Sequence, residues 1–106
     1  MTALETTIIR EFKALLSERL GRYSLVLFGS RARGDADEQS DMDLLVIIEQ
    51  PEDYEILTFV YDCAYEAGLE HGILLNTVVV SRERWENSPE RSSLLAEAVR
   101  RDGVPV

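Results

Sequence analysis

The sequence predicts a small α/β protein of the α+β kind, its elements in the order α-β-(turn)-β-α-β-α. Three observations carry that prediction. Tyr23–Phe28, Met42–Ile48 and Ile73–Val80 are apolar runs of strand length, and the last is rich in β-branched residues. The segments around them repeat apolar residues at helical spacing. Glycines, prolines and short polar residues fall at the joints, where helices start and stop.

Thr2-Ala3-Leu4-Glu5 has the form of a capping box, in which Thr2 and Glu5 satisfy free N–H groups at a helix start. Leu4, Ile8, Phe12, Leu15 and Leu16 then recur on one face until Gly21 stops the helix, giving a first helix over about residues 3–20. Tyr23–Phe28 forms the first strand, and Gly29 to Gly34 a turn or a single helical turn. Asp35 to Ser40 is a solvated loop, and its acidic part, Asp35 to Glu38, is placed to close over a substrate if the neighbouring turn binds one. Met42–Ile48 is apolar on both faces and is expected to be a central strand. The sequence leaves the relative direction of these two strands open.

Pro51 suits the first position of a second helix, with Glu52, Asp53 and Glu55 where the helix dipole favours negative charge. Ile56, Val60, Cys63 and Ala67 continue its apolar stripe to Gly68. Cys63 is therefore expected to be a small core residue and not a nucleophile. Tyr61 and Tyr65 are four apart and form one stripe, with Tyr54 on the same helix; packing is their expected role, and a partner surface the alternative. After the third strand, Ser81 can cap a short turn carrying Trp85, a core residue by expectation. Ser88-Pro89-Glu90 starts a last helix through Leu94, Leu95, Ala98 and Val99, closed by Gly103 and Pro105.

At 106 residues the chain is expected to form one domain, residues 1–106, around a single core. An apolar fraction of 45% and a charged fraction of 29% are those of an ordinary globular protein and exclude disorder. The net charge of -9 argues against direct nucleic-acid binding, which needs a basic footprint, and suits a basic protein partner or simple solubility. Cys63 is the sole cysteine, so no disulfide can form within the chain and a reducing, cytoplasmic setting is expected. Met1 to Arg10 lacks the pattern of a signal peptide, and no apolar run approaches the roughly 20 residues that cross a bilayer, so no membrane association is expected.

The chemistry is concentrated in Leu25-Val26-Leu27-Phe28-Gly29-Ser30 and Ser40-Asp41-Met42-Asp43-Leu44. Asp41 and Asp43 are two apart on a strand, so both carboxylates point to one face. Held side by side they repel unless a cation compensates, and an all-oxygen pair suits Mg²⁺, which completes its shell with water and phosphate oxygens. Gly29 lets the backbone approach a phosphate, and Ser30 offers an N–H and a hydroxyl. A nucleotidyl-transfer site fits these parts better than a hydrolase triad, since the sole histidine, His71, has no obvious nucleophile beside it. Asp35-x-Asp37-x-Gln39-x-Asp41 imitates a calcium loop but carries Ser40 in place of its glycine and Val46 in place of its glutamate. A P-loop is excluded because no Gly-Lys-Ser/Thr follows the turn.

A strand ending in Gly-Ser, ten intervening residues and Asp-x-Asp opening an apolar strand resembles the nucleotidyltransferase superfamily of the DNA polymerase beta type. With Gly29-Ser30-Arg31-Ala32-Arg33-Gly34 and Ser40-Asp41-Met42-Asp43-Leu44-Leu45-Val46, the chain is similar to the MNT-type, or minimal, nucleotidyltransferases. The resemblance implies a small mixed β-sheet flanked by helices, with ATP as substrate and one or two Mg²⁺ ions. It implies Asp41 and Asp43 as catalytic metal ligands and Gly29 and Ser30 as holders of the triphosphate. Arg33 is a further nucleotide-binding candidate, able to pair with a phosphate or with Asp35 or Asp37. Arg31 is expected at the surface or against a partner. The resemblance also implies an antitoxin of a toxin–antitoxin pair that transfers AMP to a tyrosine of an HEPN-type ribonuclease toxin.

Active members of that superfamily usually add a third carboxylate from a neighbouring strand. Here the third strand reads Ile73-Leu74-Leu75-Asn76-Thr77-Val78-Val79-Val80, with Asn76 at the corresponding place and Glu70 and Glu83 flanking it. An amide can ligate a cation but carries no charge and cannot act as a base. Two readings follow: an adenylyltransferase that modifies its partner, or a catalytically degenerate fold that neutralises the partner by binding it.

Overall fold

Thr2 and Glu5 start the first helix as their spacing predicts. In the computed structural model of the protein, which describes residues 1–87 and 93–106, Thr2 Oγ1 accepts from the Glu5 N–H at 3.1 Å. Glu5 Oε1 accepts from the Thr2 N–H at 2.9 Å, closing the capping box at the head of α1 (Ala3–Leu16). The helix ends before the expected position. Ser17 caps it, and a tighter turn brings the buried Leu20 back so that its N–H reaches Leu16 O at 2.8 Å. The order then runs β1 (Tyr23–Phe28), α2 (Gly29–Arg33), β2 (Met42–Ile48), α3 (Tyr54–Leu69), β3 (Leu75–Ser81), α4 (Arg82–Asn87), α5 (Leu94–Asp102) and β4 (Val104–Pro105).

Four strands form one mixed sheet in the order β3-β2-β1-β4. β1 pairs antiparallel with both β2 and β4, while β2 and β3 run parallel with α3 as their crossover. The central strand is β2, as its two-sided apolar pattern predicts. Met42, Leu44, Val46 and Ile48 face the main core with Ile8, Phe12 and Leu16 of α1 and Val60 and Cys63 of α3. Leu45 and Ile47 face the opposite side, where a thinner layer holds Phe28, Val80, Trp85 and Leu95. Trp85 is half-buried there, on α4, whose start Ser81 caps through the Arg84 N–H at 3.2 Å.

Three boundaries depart from expectation. The second helix starts at Tyr54 and not at Pro51, because Asp53 is its N-cap and accepts from the Ile56 N–H at 2.9 Å. Glu52 instead accepts from the Ser81 N–H and pairs with Arg84. The third strand starts at Leu75, because the Ile73 N–H turns back to Gly68 O at 3.1 Å through Gly72, whose φ is +66°. The predicted start of the last helix at Ser88-Pro89-Glu90 lies outside the described residues; Ser93 caps α5 through the Ala96 N–H. Among the described residues no helix is long and apolar enough to cross a membrane.

Cys63 is buried in the α3 stripe, and burial pushes its thiol up to about 11. With thiolate scarce and access closed, a disulfide-exchange reagent at neutral pH should label it only as fast as the protein opens, and completely in denaturant. Rapid native labelling would contradict the core assignment.

Candidate functional site

The register of the sheet brings the two halves of the motif together. Phe28 lies opposite Asp43, so Gly29, the next residue, turns beside the start of β2. Gly29 has a φ of +76°, and a β-carbon built there would lie 2.3 Å from Asp43 Oδ2. The missing side chain is therefore the space that the Asp43 carboxylate fills. α2 begins at this glycine with no side-chain cap, so its first N–H groups are open at the same end of the sheet.

On the other side of β2, Asn76 lies opposite Asp43, and its Nδ2 donates to Asp43 Oδ1 at 3.0 Å. The third strand thus places the Asn76 amide, the nearest stand-in for a third carboxylate by position and shape, against Asp43. Neither flanking glutamate takes that place. Glu70 groups with Glu11 and His71, their ligand atoms within 4.8 Å of one another, where α3 ends beside α1. That layer covers the main-core face, opposite the face that Asp43 and Asn76 share. Glu83 sits on α4, beyond the far end of the parallel pair.

Asp41 is exposed just before β2, two residues from Asp43. Its position is set by the loop before it. Ser40 Oγ and the Gln39 N–H both donate to Asp37 Oδ1, at 3.2 and 2.8 Å. Arg31 holds the same loop from below: its Nε donates to Ser40 O at 2.9 Å and its Nη2 to Glu38 O at 3.1 Å. Among the described residues no cationic side chain pairs with Asp41 or Asp43.

Arg31 corrects the expectation of a surface residue. It is 8% exposed, and its Nη1 donates to Glu5 Oε2 at 2.9 Å. The same glutamate closes the capping box with its other oxygen. Burial alone would raise the Glu5 carboxyl, but the Thr2 N–H and the Arg31 guanidinium outweigh it and hold the group below its ordinary range. A local pattern identified the capping box; only the tertiary fold brings residues 5 and 31 together.

Arg33 lies in two ion pairs, Nε with Asp35 Oδ2 at 3.1 Å and Nη1 with Asp102 Oδ2 at 3.0 Å. The Asp35 contact is one of those its sequence neighbours offered. Asp102, which also takes a hydrogen bond from Arg101, is pulled below its ordinary value, first by Arg101 and then by Arg33 against the effect of burial. Arg33 therefore ties α2 to the end of α5, and a phosphate would have to exchange with these carboxylates to reach it.

A family described as "Nucleotidyltransferase domain" matches residues 9–100, which include the Gly29-Ser30 turn, both aspartates and all three long strands. The chain belongs to that nucleotidyltransferase domain family. Two proteins of Methanocaldococcus jannaschii, named "Putative protein adenylyltransferase MJ0604" and "Putative protein adenylyltransferase MJ0141", are similar to it. The first is 40% identical over 81 residues, which is 74% of this chain and 76% of the relative. The second is 33% identical over 79 residues, 71% of this chain and 78% of the relative. A solved structure, "Crystal structure of the toxin-antitoxin with AMP-PNP", shares the fold with a TM-score of 0.60 at 18% identity, covering 91% of this chain and 69% of the other. The small mixed sheet flanked by helices is thus the nucleotidyltransferase fold. Two carboxylates two residues apart, with no competing cation among the described residues, and a glycine that clears the backbone form a donor set that fits Mg²⁺ and a phosphate chain.

Proposed function

We propose that residues 1–106 act as one minimal nucleotidyltransferase domain that moves AMP from Mg²⁺-ATP to a hydroxyl of a protein partner. The observation that carries this reading is the Asp43 carboxylate lodged over Gly29, with Asp41 two residues away and, among the described residues, no cation paired to either. Asp41 and Asp43 would hold the metal, which supplies charge neutralisation at the phosphate. Gly29 and Ser30 would receive the triphosphate on backbone N–H groups and the Ser30 hydroxyl. Arg33 would join them by exchanging Asp35 for a phosphate oxygen. In the transfer, the acceptor oxygen forms a bond to the α-phosphorus and the bond to the bridging oxygen breaks. Pyrophosphate leaves, and the hydroxyl proton passes to water, since Asn76 cannot take it.

The names of the M. jannaschii relatives support a protein as acceptor, and the toxin–antitoxin title of the structural neighbour supports a two-component system. Within it this chain would be the antitoxin and an HEPN-type toxin the partner, a tyrosine of which would receive the AMP. The test is to incubate the chain with ATP, Mg²⁺ and the protein that copurifies with it. An AMP-sized mass increase on that protein is expected, and none without Mg²⁺.

The Asn76–Asp43 hydrogen bond favours a second reading, in which the site binds but does not turn over and the partner is neutralised by complex formation alone. Asn76→Asp separates the two. The added carboxylate should tighten Mg²⁺ binding by about tenfold or more, equivalent to on the order of 1.4 kcal/mol, and raise the transfer rate if the first reading holds. Tighter metal with no transfer in either protein would leave the binding module standing.

A further inference from the structure

Packing was the expected role of the α3 tyrosines, and the structure overturns it. Tyr54 is 81% exposed, Tyr61 48% and Tyr65 65%, and Leu69 and Leu74 beyond them are 62% and 60% exposed. Tyr54, Tyr61, Tyr65 and Leu69 follow one another at seven, four and four residues, a spacing that keeps them on one helix face. The stripe is about 22 Å long at 1.5 Å per residue. The opposite face of the same helix, with Val60, Cys63, Ala64 and Ala67, already fills the core, and the exposed tyrosines lie outside it.

Two further features belong to this face. At its C-terminal end the stripe runs into a groove of about 170 Å³ lined by Ala64, Tyr65, Gly68, Leu69, Ile73 and Leu74. A groove of that size takes one apolar side chain, the anchor on which protein interfaces depend. Along one flank stand Glu55, Asp62 and Glu66, all exposed and spaced at seven and four residues like the tyrosines they border. Tyrosine is suited to such a place, since its ring offers apolar area and its hydroxyl tolerates water.

We propose that this face of α3 docks a basic protein partner, which inserts an apolar side chain into the Leu69–Leu74 groove and sets lysines or arginines against Glu55, Asp62 and Glu66. The proposal rests on the reading of the chain as half of a two-protein system and assigns the surface that would hold the other half. Charge decides the occupant. A second copy would bring the same acidic row and another net charge of -9, and an anionic membrane would repel the row as well. A basic surface gains from both the row and the overall charge, and is steered to it. The face lies on the α1/α3 layer, opposite the Asp43 face, so docking leaves the carboxylates free.

The test places a photoreactive p-benzoylphenylalanine at Tyr65 in the full chain, in the cells that make the protein. A second sample carries it at Arg22, exposed at the other end of the sheet. Irradiation should give one discrete adduct at position 65 that is absent at 22, joined to a protein of basic composition. Asp62→Lys with Glu66→Lys should lower its yield by roughly tenfold or more, the loss expected of rim charges that steer and hold a partner. Asp41→Asn with Asp43→Asn should leave the adduct in place, so failure of docking and failure of nucleotide chemistry are read separately. An adduct no stronger than at Arg22, one of twice the chain's own mass, one to lipid, or one to an acidic protein would overturn the proposal.

Discussion

Asp41→Asn together with Asp43→Asn is expected to lower AMP transfer by on the order of a thousandfold or more, about 4 kcal/mol of lost transition-state stabilisation. Both substitutions keep the shape of the side chain and remove the charge that would hold Mg²⁺. The fold should not suffer. Among the described residues neither carboxylate has a cationic partner to lose, so their removal should leave the melting temperature unchanged or higher. Loss of transfer with the fold intact, and loss of Mg²⁺-dependent ATP binding by calorimetry, would together place the chemistry at this pair. Transfer at the native rate in the double variant would show that the mechanism is wrong.

Arg31→Met should destabilise the protein by about 3–5 kcal/mol, the cost of leaving one member of a buried ion pair without the other. The guanidinium serves Glu5 Oε2, Ser40 O and Glu38 O at once, and of these the Glu5 carboxylate is the group least able to turn to water. Adding Glu5→Gln should recover much of the loss, and chemical denaturation of the two single variants and the double variant measures the coupling. The pair also sets a direction with pH. The Glu5 carboxyl lies below its ordinary 4.5 when folded, so its contribution is complete above that pH and is lost as pH falls through the folded value. Acid unfolding should therefore begin at lower pH in the wild type than in a variant lacking the arginine.

The parts of the fold that depend on near neighbours were legible in the sequence. The Thr2–Glu5 box, the two-sided burial of Met42–Ile48 and the buried Cys63 all follow from periodicity or capping chemistry. What was not legible depends on distance along the chain. Glu5 and Arg31 meet across 26 residues, and no local pattern marks an arginine as interior. The antiparallel pairing of β1 with β2 is set by the short connection through α2, and the parallel pairing of β2 with β3 by the crossover of α3, not by either strand's own residues. β4 is two residues long and contains Pro105, below any detectable alternation. The tyrosines of α3 fit a buried stripe as well as an exposed one, because a second stripe of small residues on the same helix takes the core.

The parallel register of β2 and β3 also has a kinetic meaning. Asp43 meets Gly29 by closing a short loop through α2, whereas its contact with Asn76 spans 33 residues and requires α3 to have formed and docked. Loop-closure entropy and the slowness of parallel pairing act against the second contact. During synthesis, the glycine and its aspartate can meet while the segment bearing Asn76 is still inside the ribosome. The motif half of the site is thus assembled by an early hairpin-like closure, and its amide neighbour joins only when the crossover is complete.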